Sequence, residues 1–258
     1  MTTAGEPSKL YAEVTGRGPR LVLVHGFAQT NACWGSVATD LANDHEVICV
    51  DAPGHGRSSG RRAGLFAGAR LIADRGGLAT YVGYSMGGRF ALHVALGEPE
   101  VVNGLVLIGA SAGIDDIEAR VARQVADEAR ARRLEREGLD AFLDGWLAQP
   151  LFEGLTEATQ FRAERRHNTV AGLAASLRHA GLGSQDPLWA NPGDLTIPVL
   201  VVAGALDAKF SAEAIRLAQA IGANAEVALV PGAGHAAHLE NPDTFLAILR
   251  AWLHAHGL

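Results

Sequence analysis

The segment 83–88, Gly-Tyr-Ser-Met-Gly-Gly, constrains the fold of this chain more than any other stretch. It puts Ser85 between an apolar, β-branched run at 79–82 and a helix-compatible run at 89–96. The glycines permit a tight bend and let a helix lie close to a strand. We therefore predict a sharp strand-to-helix turn that exposes the Ser85 hydroxyl at the edge of a sheet and points the following amides at a ligand.

Short apolar runs alternate with helix-compatible segments along much of the chain. Such alternation predicts a mainly parallel sheet with helices on both faces, an α/β architecture. The predicted strands cover residues 20–24, 46–50, 79–82, 105–108, 198–203 and 225–230. The predicted helices cover residues 34–41, 65–75, 89–96, 211–221 (N-capped by Ser211) and 244–254. A Gly/Pro turn at 16–19 between apolar runs predicts a hairpin of residues 10–14 with 20–24.

Residues 111–190 have a different character. Strand signals vanish, and residues 117–147 and 156–179 have helical patterns rich in Ala, Arg and Glu. We predict that 111–190 form a helical lid inserted into one core made of residues 1–110 and 191–258. The lid holds 10 Arg against 13 Asp plus Glu, so it is not a basic patch.

Composition excludes several classes of function. The net charge of −6 argues against nucleic acid or an anionic membrane as the main partner. No apolar run approaches the roughly 20 residues that span a bilayer, and the polar residues 1–9 do not resemble a signal peptide. We expect a cytoplasmic protein without metal or cofactor, either a monomer or a homodimer, in which Cys33 and Cys49 are buried free thiols.

Three reactive side chains follow predicted strands, in the order Ser85, Asp207, His235. Ligands of parallel sheets bind beyond the carboxyl ends of the strands, so these groups are expected to meet. We predict that His235 activates Ser85 and that Asp207 fixes the imidazole tautomer and stabilises its charged form. His238 is the alternative base, but its position near the start of the closing helix favours His235.

Two backbone amides are candidates for an oxyanion hole. The N–H of Met86 lies at the positive end of its predicted helix, and the N–H of Phe27 follows His25-Gly26. We expect His25 and Asp51 to be structural rather than catalytic.

Taken together, these motifs resemble those of the α/β-hydrolase superfamily over essentially the whole chain. The resemblance rests on His25-Gly26-Phe27, on Asp51-x-Pro-Gly-His-Gly-Arg-Ser58, on the turn at 83–88, which in that family is the nucleophile elbow, and on Gly234-His235. It implies the α/β-hydrolase fold.

A narrower resemblance is carried by residues 83–89, 137–152, 172–178, 181–185 and 207–210. They resemble 2-succinyl-6-hydroxy-2,4-cyclohexadiene-1-carboxylate synthase of menaquinone biosynthesis. That family eliminates pyruvate from a succinylated cyclohexene carboxylate and hydrolyses no ester or amide. The resemblance implies a carbon–oxygen lyase whose triad acts as a base, with a small-molecule polycarboxylate as substrate.

The same resemblance implies a set of substrate-binding residues. They are Tyr84, Arg89, Arg123, Trp146 and one of Arg165 and Arg166. Arginine suits this role because its guanidinium binds carboxylates bidentately. Two questions stay open: whether Tyr84 contributes its backbone or its ring, and whether Trp146 is cavity wall or lid core.

Two other functions remain to be considered. A hydrolase would use Ser85 as a covalent nucleophile on an ester or a carbon–carbon bond. A ligand receptor on a hydrolase scaffold is the third reading, and the intact triad and elbow argue against it.

Overall fold

Seven strands form one sheet in the order β1-β3-β2-β4-β5-β6-β7 in a computed structural model that describes residues 9–258. The strands are β1 Ala12–Thr15, β2 Arg20–Val24, β3 Glu46–Val50, β4 Ala79–Tyr84, β5 Val102–Ile108, β6 Val199–Gly204 and β7 Ala225–Val230. All neighbours are parallel except β1 and β3. The prediction of a mainly parallel sheet is confirmed. Residues 1–8, on which the signal-peptide prediction depends, lie outside the described residues.

The predicted hairpin is wrong. β1 pairs antiparallel with β3, with Ala12 opposite Val50, while β2 pairs with the other side of β3. Four of the five β2 residues are buried, which suits an interior strand, whereas three of the four β1 residues are exposed, which suits an edge. The chain between them therefore reverses direction across the end of β3, and the two strands are not neighbours.

Ten α-helices connect and cover these strands. They are α1 Gly35–Leu41, α2 Leu65–Gly76, α3 Met86–Gly97, α4 Ile117–Glu137, α5 Leu139–Leu147, α6 Arg162–Arg165, α7 Val170–Ala180, α8 Ala208–Ile221, α9 Ala237–Glu240 and α10 Pro242–His256, counted within residues 9–258. Every one of them is too short or too polar to cross a membrane. Cys33 and Cys49 are buried and unpaired.

Helices cover both faces of the sheet, as predicted. Successive strand residues point to opposite faces, so Val22 belongs to the core under α2, α3 and α8, and Leu23 to the core under α1 and α10. Phe90 of α3 and Trp34 beside α1 are fully buried anchors of these two cores.

The segment between β5 and β6, which contains the predicted lid, is helical but more broken than the sequence pattern suggests. The expected helix over 117–147 divides at Gly138, whose φ of 82° lies in the left-handed region. The expected helix over 156–179 is reduced to α6 and α7. Helices α4, α5 and α7 share a small core of their own, which includes Leu134, Phe142 and Leu173 and reaches Ala28 in the loop after β2.

Phe90→Ala is expected to destabilise the protein by about 3–5 kcal/mol, because it deletes a fully buried ring between α2 and the sheet. The matched control Phe66→Ala removes a ring that is 64% exposed and should change stability by less than about 0.5 kcal/mol. Urea unfolding measures both. Equal losses in the two variants would contradict this description of the core.

Candidate active site

Ser85 lies in a strained turn between β4 and α3. Its φ of 52° is unusual for a residue with a side chain, and its amide donates to Ile108 O over 2.8 Å. A Cβ on Gly87 would lie 1.9 Å from Val24 O, so only glycine permits α3 to approach β2 this closely. The predicted elbow is therefore present, anchored to the neighbouring strands β2 and β5.

The three predicted catalytic side chains meet at the carboxyl ends of their strands. Ser85 Oγ lies 3.2 Å from His235 Nε2, and His235 Nδ1 lies 3.0 Å from Asp207 Oδ2. His235 and Asp207 are both largely buried. This arrangement allows the Ser85 hydroxyl to donate to the imidazole while the imidazole donates to the carboxylate.

Asp207 has a second role. Its Oδ1 accepts the Phe210 amide over 3.1 Å and caps α8, so the predicted cap, Ser211, is wrong. Burial raises the pKa of Asp207, but the hydrogen bonds from His235 and from the Phe210 amide outweigh it and lower the pKa overall. The carboxylate therefore stays ionised and can stabilise an imidazolium.

His238, the alternative base, lies elsewhere. Its ring is 4.5 Å from that of Tyr84 and 4.8 Å from that of Trp34, and its Nδ1 has no hydrogen-bond partner among the described residues. Burial and the nearby His235 lower its pKa to about 3. A neutral ring packed among aromatic side chains is a core residue, and it makes no contact with the serine hydroxyl.

The two candidate oxyanion amides are available to a ligand. Within residues 9–258, neither the Phe27 nor the Met86 amide donates a hydrogen bond to the protein. The loop that carries Phe27 is fixed by two buried imidazoles, because His25 Nε2 accepts the Ala52 amide and His55 Nε2 accepts the Ala28 amide, both over 3.1 Å.

Burial lowers the pKa of His25 to about 4 and that of His55 to about 3, so both imidazoles are neutral. The other nitrogen of each ring donates to a nearby backbone carbonyl, over 2.8 Å in His25 and 3.0 Å in His55. Asp51 is equally occupied, since its two oxygens accept the amides of Asn31 and Arg57. His25 and Asp51 are therefore structural, as expected.

A cavity of about 200 Å³ opens beside Ser85, between the core and the lid. It is lined by the triad residues Ser85 and His235, by Phe27 and Met86, and by a set of charged side chains. These are Arg89, Arg123, Asp127, Arg130, Arg165 and Lys209. The lining therefore brings five cations and one carboxylate around the candidate catalytic groups.

Arg89 follows Ser85 by one turn of α3. Only 9% of the residue is exposed, and its Nη1 donates to Gln185 Oε1 over 3.3 Å. Burial and the nearby charge of Arg123 lower its pKa to about 10, with Asp127 opposing the shift. An anion beside Arg89 would offset part of this desolvation cost.

Arg123 and Arg130 are both held by one buried lid carboxylate. Asp127 Oδ1 accepts from Arg123 Nε over 2.8 Å and from Arg130 Nη1 over 3.0 Å. Arg130 was not among the predicted site residues. Its spacing from Asp127 by three positions was the available signal, but such pairs are also common on solvated helices.

Arg165 and Arg166 have opposite environments. Arg165 is 2% exposed, lines the cavity and donates to the carbonyls of Gln160 and Ala28. Burial lowers its pKa, and no carboxylate within residues 9–258 forms an ion pair with it. Arg166 is half-exposed, pairs with Asp140 over 2.6 Å and lies outside the cavity, so of the two candidates the structure brings only Arg165 to the cavity.

The two aromatic candidates both contribute to the cavity wall. Tyr84 lines the cavity, its ring lies 5.4 Å from that of His235, and burial raises the pKa of its hydroxyl. Trp146 is wall and lid core at once, because its ring lines the cavity and stacks on Phe142 at 5.9 Å. Lys209, which we did not predict, is an exposed residue at the cavity, two positions after Asp207.

Within the described chain, no group of three or more His, Cys, Asp or Glu side chains could hold a metal ion. The cavity instead presents a nucleophile or base, two free amides and several cations. Such a site can remove a proton or attack a carbonyl, and it can bind negatively charged groups nearby.

The model of the alpha/beta hydrolase family matches residues 21–248. The chain belongs to this family. It is 36% identical to 2-succinyl-6-hydroxy-2,4-cyclohexadiene-1-carboxylate synthase of Enterobacter sp. (strain 638), over 90% of each chain. It is 35% identical to the synthase of the same name from Escherichia coli O1:K1, over 90% of this chain and 92% of the relative.

Solved structures agree with this assignment. The structure of MenH from S. aureus superimposes with a TM-score of 0.89 at 28% identity, covering 98% of this chain and 100% of that one. A thermophilic esterase from Thermogutta terrifontis, solved with malate bound, gives a TM-score of 0.75 at 26% identity, over 96% and 93% of the two chains. The predicted fold and the family resemblance are confirmed.

His238→Phe is expected to make the protein less sensitive to acid. The pKa of His238 is about 3 in the folded state against an ordinary value of 6.5, so below pH 6.5 only the unfolded chain takes up this proton. The contribution of the neutral His238 to the free energy of unfolding is fully present above pH 6.5 and is lost progressively as the pH decreases. Removing the group should reduce the loss of unfolding free energy between pH 7 and 5 by about 2 kcal/mol.

Urea unfolding at a series of pH values measures this difference. The control His254→Phe changes an exposed histidine of α10 and should leave the pH dependence as in the wild type. An unchanged slope in His238→Phe would contradict a neutral, buried His238.

Proposed function

We propose that this protein is a carbon–oxygen lyase that eliminates pyruvate from a succinylated cyclohexene carboxylate in menaquinone biosynthesis. The observation that carries the proposal is the cavity itself: a Ser-His-Asp triad opens into an enclosed space with five cationic side chains. A substrate with several carboxylates is complementary to such a lining. The two synthases from Enterobacter and E. coli, similar over nine-tenths of this chain, support the same reaction.

The triad would act as a base. Ser85 Oγ, which is in contact with His235 Nε2, removes the proton from the carbon α to the succinyl carbonyl and passes it to the imidazole. Asp207 stabilises the imidazolium that forms. The electron pair left on carbon is delocalised onto the carbonyl oxygen, which the amides of Phe27 and Met86 can stabilise. As this pair forms a new carbon–carbon double bond, the ring double bond shifts toward the product diene and the bond to the pyruvyl oxygen breaks. The imidazolium can return its proton to the departing enolate, which becomes pyruvate.

The arginines would bind and orient the carboxylates. Arg89 is closest to Ser85 in the chain, and Arg165 is buried against carbonyl oxygens that do not cancel its charge. Arg123 and Arg130 approach from the lid. Because several cations line the same cavity as the triad, they can fix the substrate at more than one carboxylate.

A serine hydrolase is the second candidate. The Ser85–His235 contact would equally serve a covalent nucleophile, and the esterase from T. terrifontis shares the fold at 26% identity. The two mechanisms differ in their product and intermediate: the lyase releases pyruvate without a covalent adduct, whereas the hydrolase forms an acyl-enzyme on Ser85.

We also propose that the protein acts in the cytoplasm, on a small molecule and not on a nucleic acid or a membrane. The two buried free thiols, Cys33 and Cys49, suit a reducing compartment. The net charge of −6 disfavours polyanionic partners other than a ligand held inside the basic cavity.

The purified enzyme should release pyruvate from the succinylated, enolpyruvyl-bearing cyclohexene carboxylate, as measured by a coupled lactate dehydrogenase assay. Ser85→Ala should lower kcat by at least about 10³-fold, because the base then lacks its hydroxyl contact. Turnover of p-nitrophenyl acetate is measured in parallel. Rapid ester turnover with no pyruvate release would overturn the lyase and support the hydrolase.

Arg165→Lys is expected to lower kcat/KM by about 10- to 100-fold. Lysine keeps the charge but lacks the planar guanidinium that can donate to the Ala28 carbonyl and to a carboxylate at the same time. Losing the charged hydrogen bond to the carboxylate should cost about 1.5–3 kcal/mol of binding free energy. The matched control Arg166→Lys alters the adjacent, half-exposed arginine and should stay within about twofold of the wild type. Equal effects of the two substitutions would contradict the assignment of Arg165 to the site.

A further inference from the structure

Glu240 holds the backbone on both sides of the candidate base. Its Oε2 accepts the amide of Gly234 over 2.6 Å, and its Oε1 accepts the amide of Ala236 over 2.9 Å. His235 lies between these two residues. Both oxygens of one carboxylate are thus used on the two amides that flank the imidazole-bearing residue.

The loop that carries His235 needs such support. It follows β7 as Pro-Gly-Ala-Gly-His, without regular structure, and Gly232 within it has a φ of 69°. Glycine-rich segments are the most costly to order because they lose the most conformational freedom. The Glu240 amide also donates to Ala236 O over 3.0 Å, which closes the same loop from its other end.

We propose that Glu240 is a positioning residue for His235: its carboxylate fixes the base loop so that Nε2 meets Ser85 Oγ while Nδ1 meets Asp207. The proposal rests on the proposed function only in taking His235 as the base. Glu240 does not line the cavity and touches no reacting atom, so its effect on the reaction passes entirely through the imidazole.

The predicted lid packs against this contact. A Cβ on Gly154, in the lid segment between α5 and α6, would lie 1.9 Å from Glu240 Oε2. The backbone of Gly154 therefore packs directly on the carboxylate, between the buried residues Phe152 and Leu155. Gly154→Ala should displace the carboxylate without touching the cavity, and so provides a second, independent way to disturb the contact.

Glu240→Gln is the first test. A glutamine side chain offers one acceptor oxygen to two amide donors, and its NH2 group faces the other N–H. We expect kcat to fall about 10- to 100-fold with KM within about twofold of the wild type. The control Asp243→Asn changes an exposed carboxylate at the start of α10 and should alter none of these values.

A second measurement makes the test independent of the lyase reaction. The rate at which a fluorophosphonate labels Ser85 depends on His235 as base, whatever the natural substrate is. This rate should fall about 10- to 100-fold in Glu240→Gln and less in Gly154→Ala. The two substitutions should be less than additive when combined, since they act on one contact.

The outcomes separate the two proposals. Absence of pyruvate release in the wild type would overturn the lyase, while slower labelling of Glu240→Gln would still support the positioning role. If Glu240→Gln lowers only the melting temperature, and its labelling rate and kcat match those of Asp243→Asn, the positioning role is overturned.

Discussion

The close approach of α3 to the sheet at Ser85 is the constraint on which the rest of the site depends. A side chain on Gly87 would collide with the Val24 carbonyl, so the helix can lie here only because the residue is glycine. This packing directs the first amide of α3, that of Met86, into the cavity and places Arg89 one turn beyond the serine. One backbone geometry therefore holds the Ser85 hydroxyl, the proposed oxyanion donor and the proposed carboxylate anchor in fixed relation.

The electrostatics of the cavity follow from how its cations are held. Arg165 is bound by carbonyl oxygens and Arg89 by an amide oxygen, which satisfy N–H groups without cancelling charge. Asp127 shares one oxygen between two lid arginines, so it neutralises them only in part. Buried cations with neutral acceptors are costly in the free protein, and an anionic ligand offsets that cost. This is a physical reason for a preference for polycarboxylates over neutral esters.

The sequence predicted what depends on local pattern. The apolar strands, the elbow and the two short segments that put Asp207 and His235 directly after strands are each encoded in a few adjacent residues. The hairpin prediction was wrong because burial over the whole sheet decides which strand pairs with β1. The apolar β2 takes an interior position, and β1 pairs with β3. Arg165 and Arg166 could not be separated because α6 has only four residues, too few to show which face is apolar. Arg130 and Lys209 were missed because their role comes from the lid and core meeting in space.

The predicted lid, residues 111–190, lines the cavity and also contacts the loops that carry the candidate catalytic groups. Asn168, just after α6, donates to the carbonyls of Ala28 and Gln29 and accepts the Gly56 amide, so it ties the lid to the loop that carries Phe27. At a second contact, Gly154 packs on the Glu240 carboxylate, which holds the His235 loop. The lid therefore contacts both the loop that carries the candidate oxyanion amide of Phe27 and the carboxylate that holds the loop of His235. A movement that opened the cavity at these two contacts would also loosen the loop that carries Phe27 and the loop that carries His235. Substrate binding would then be coupled to the assembly of the site.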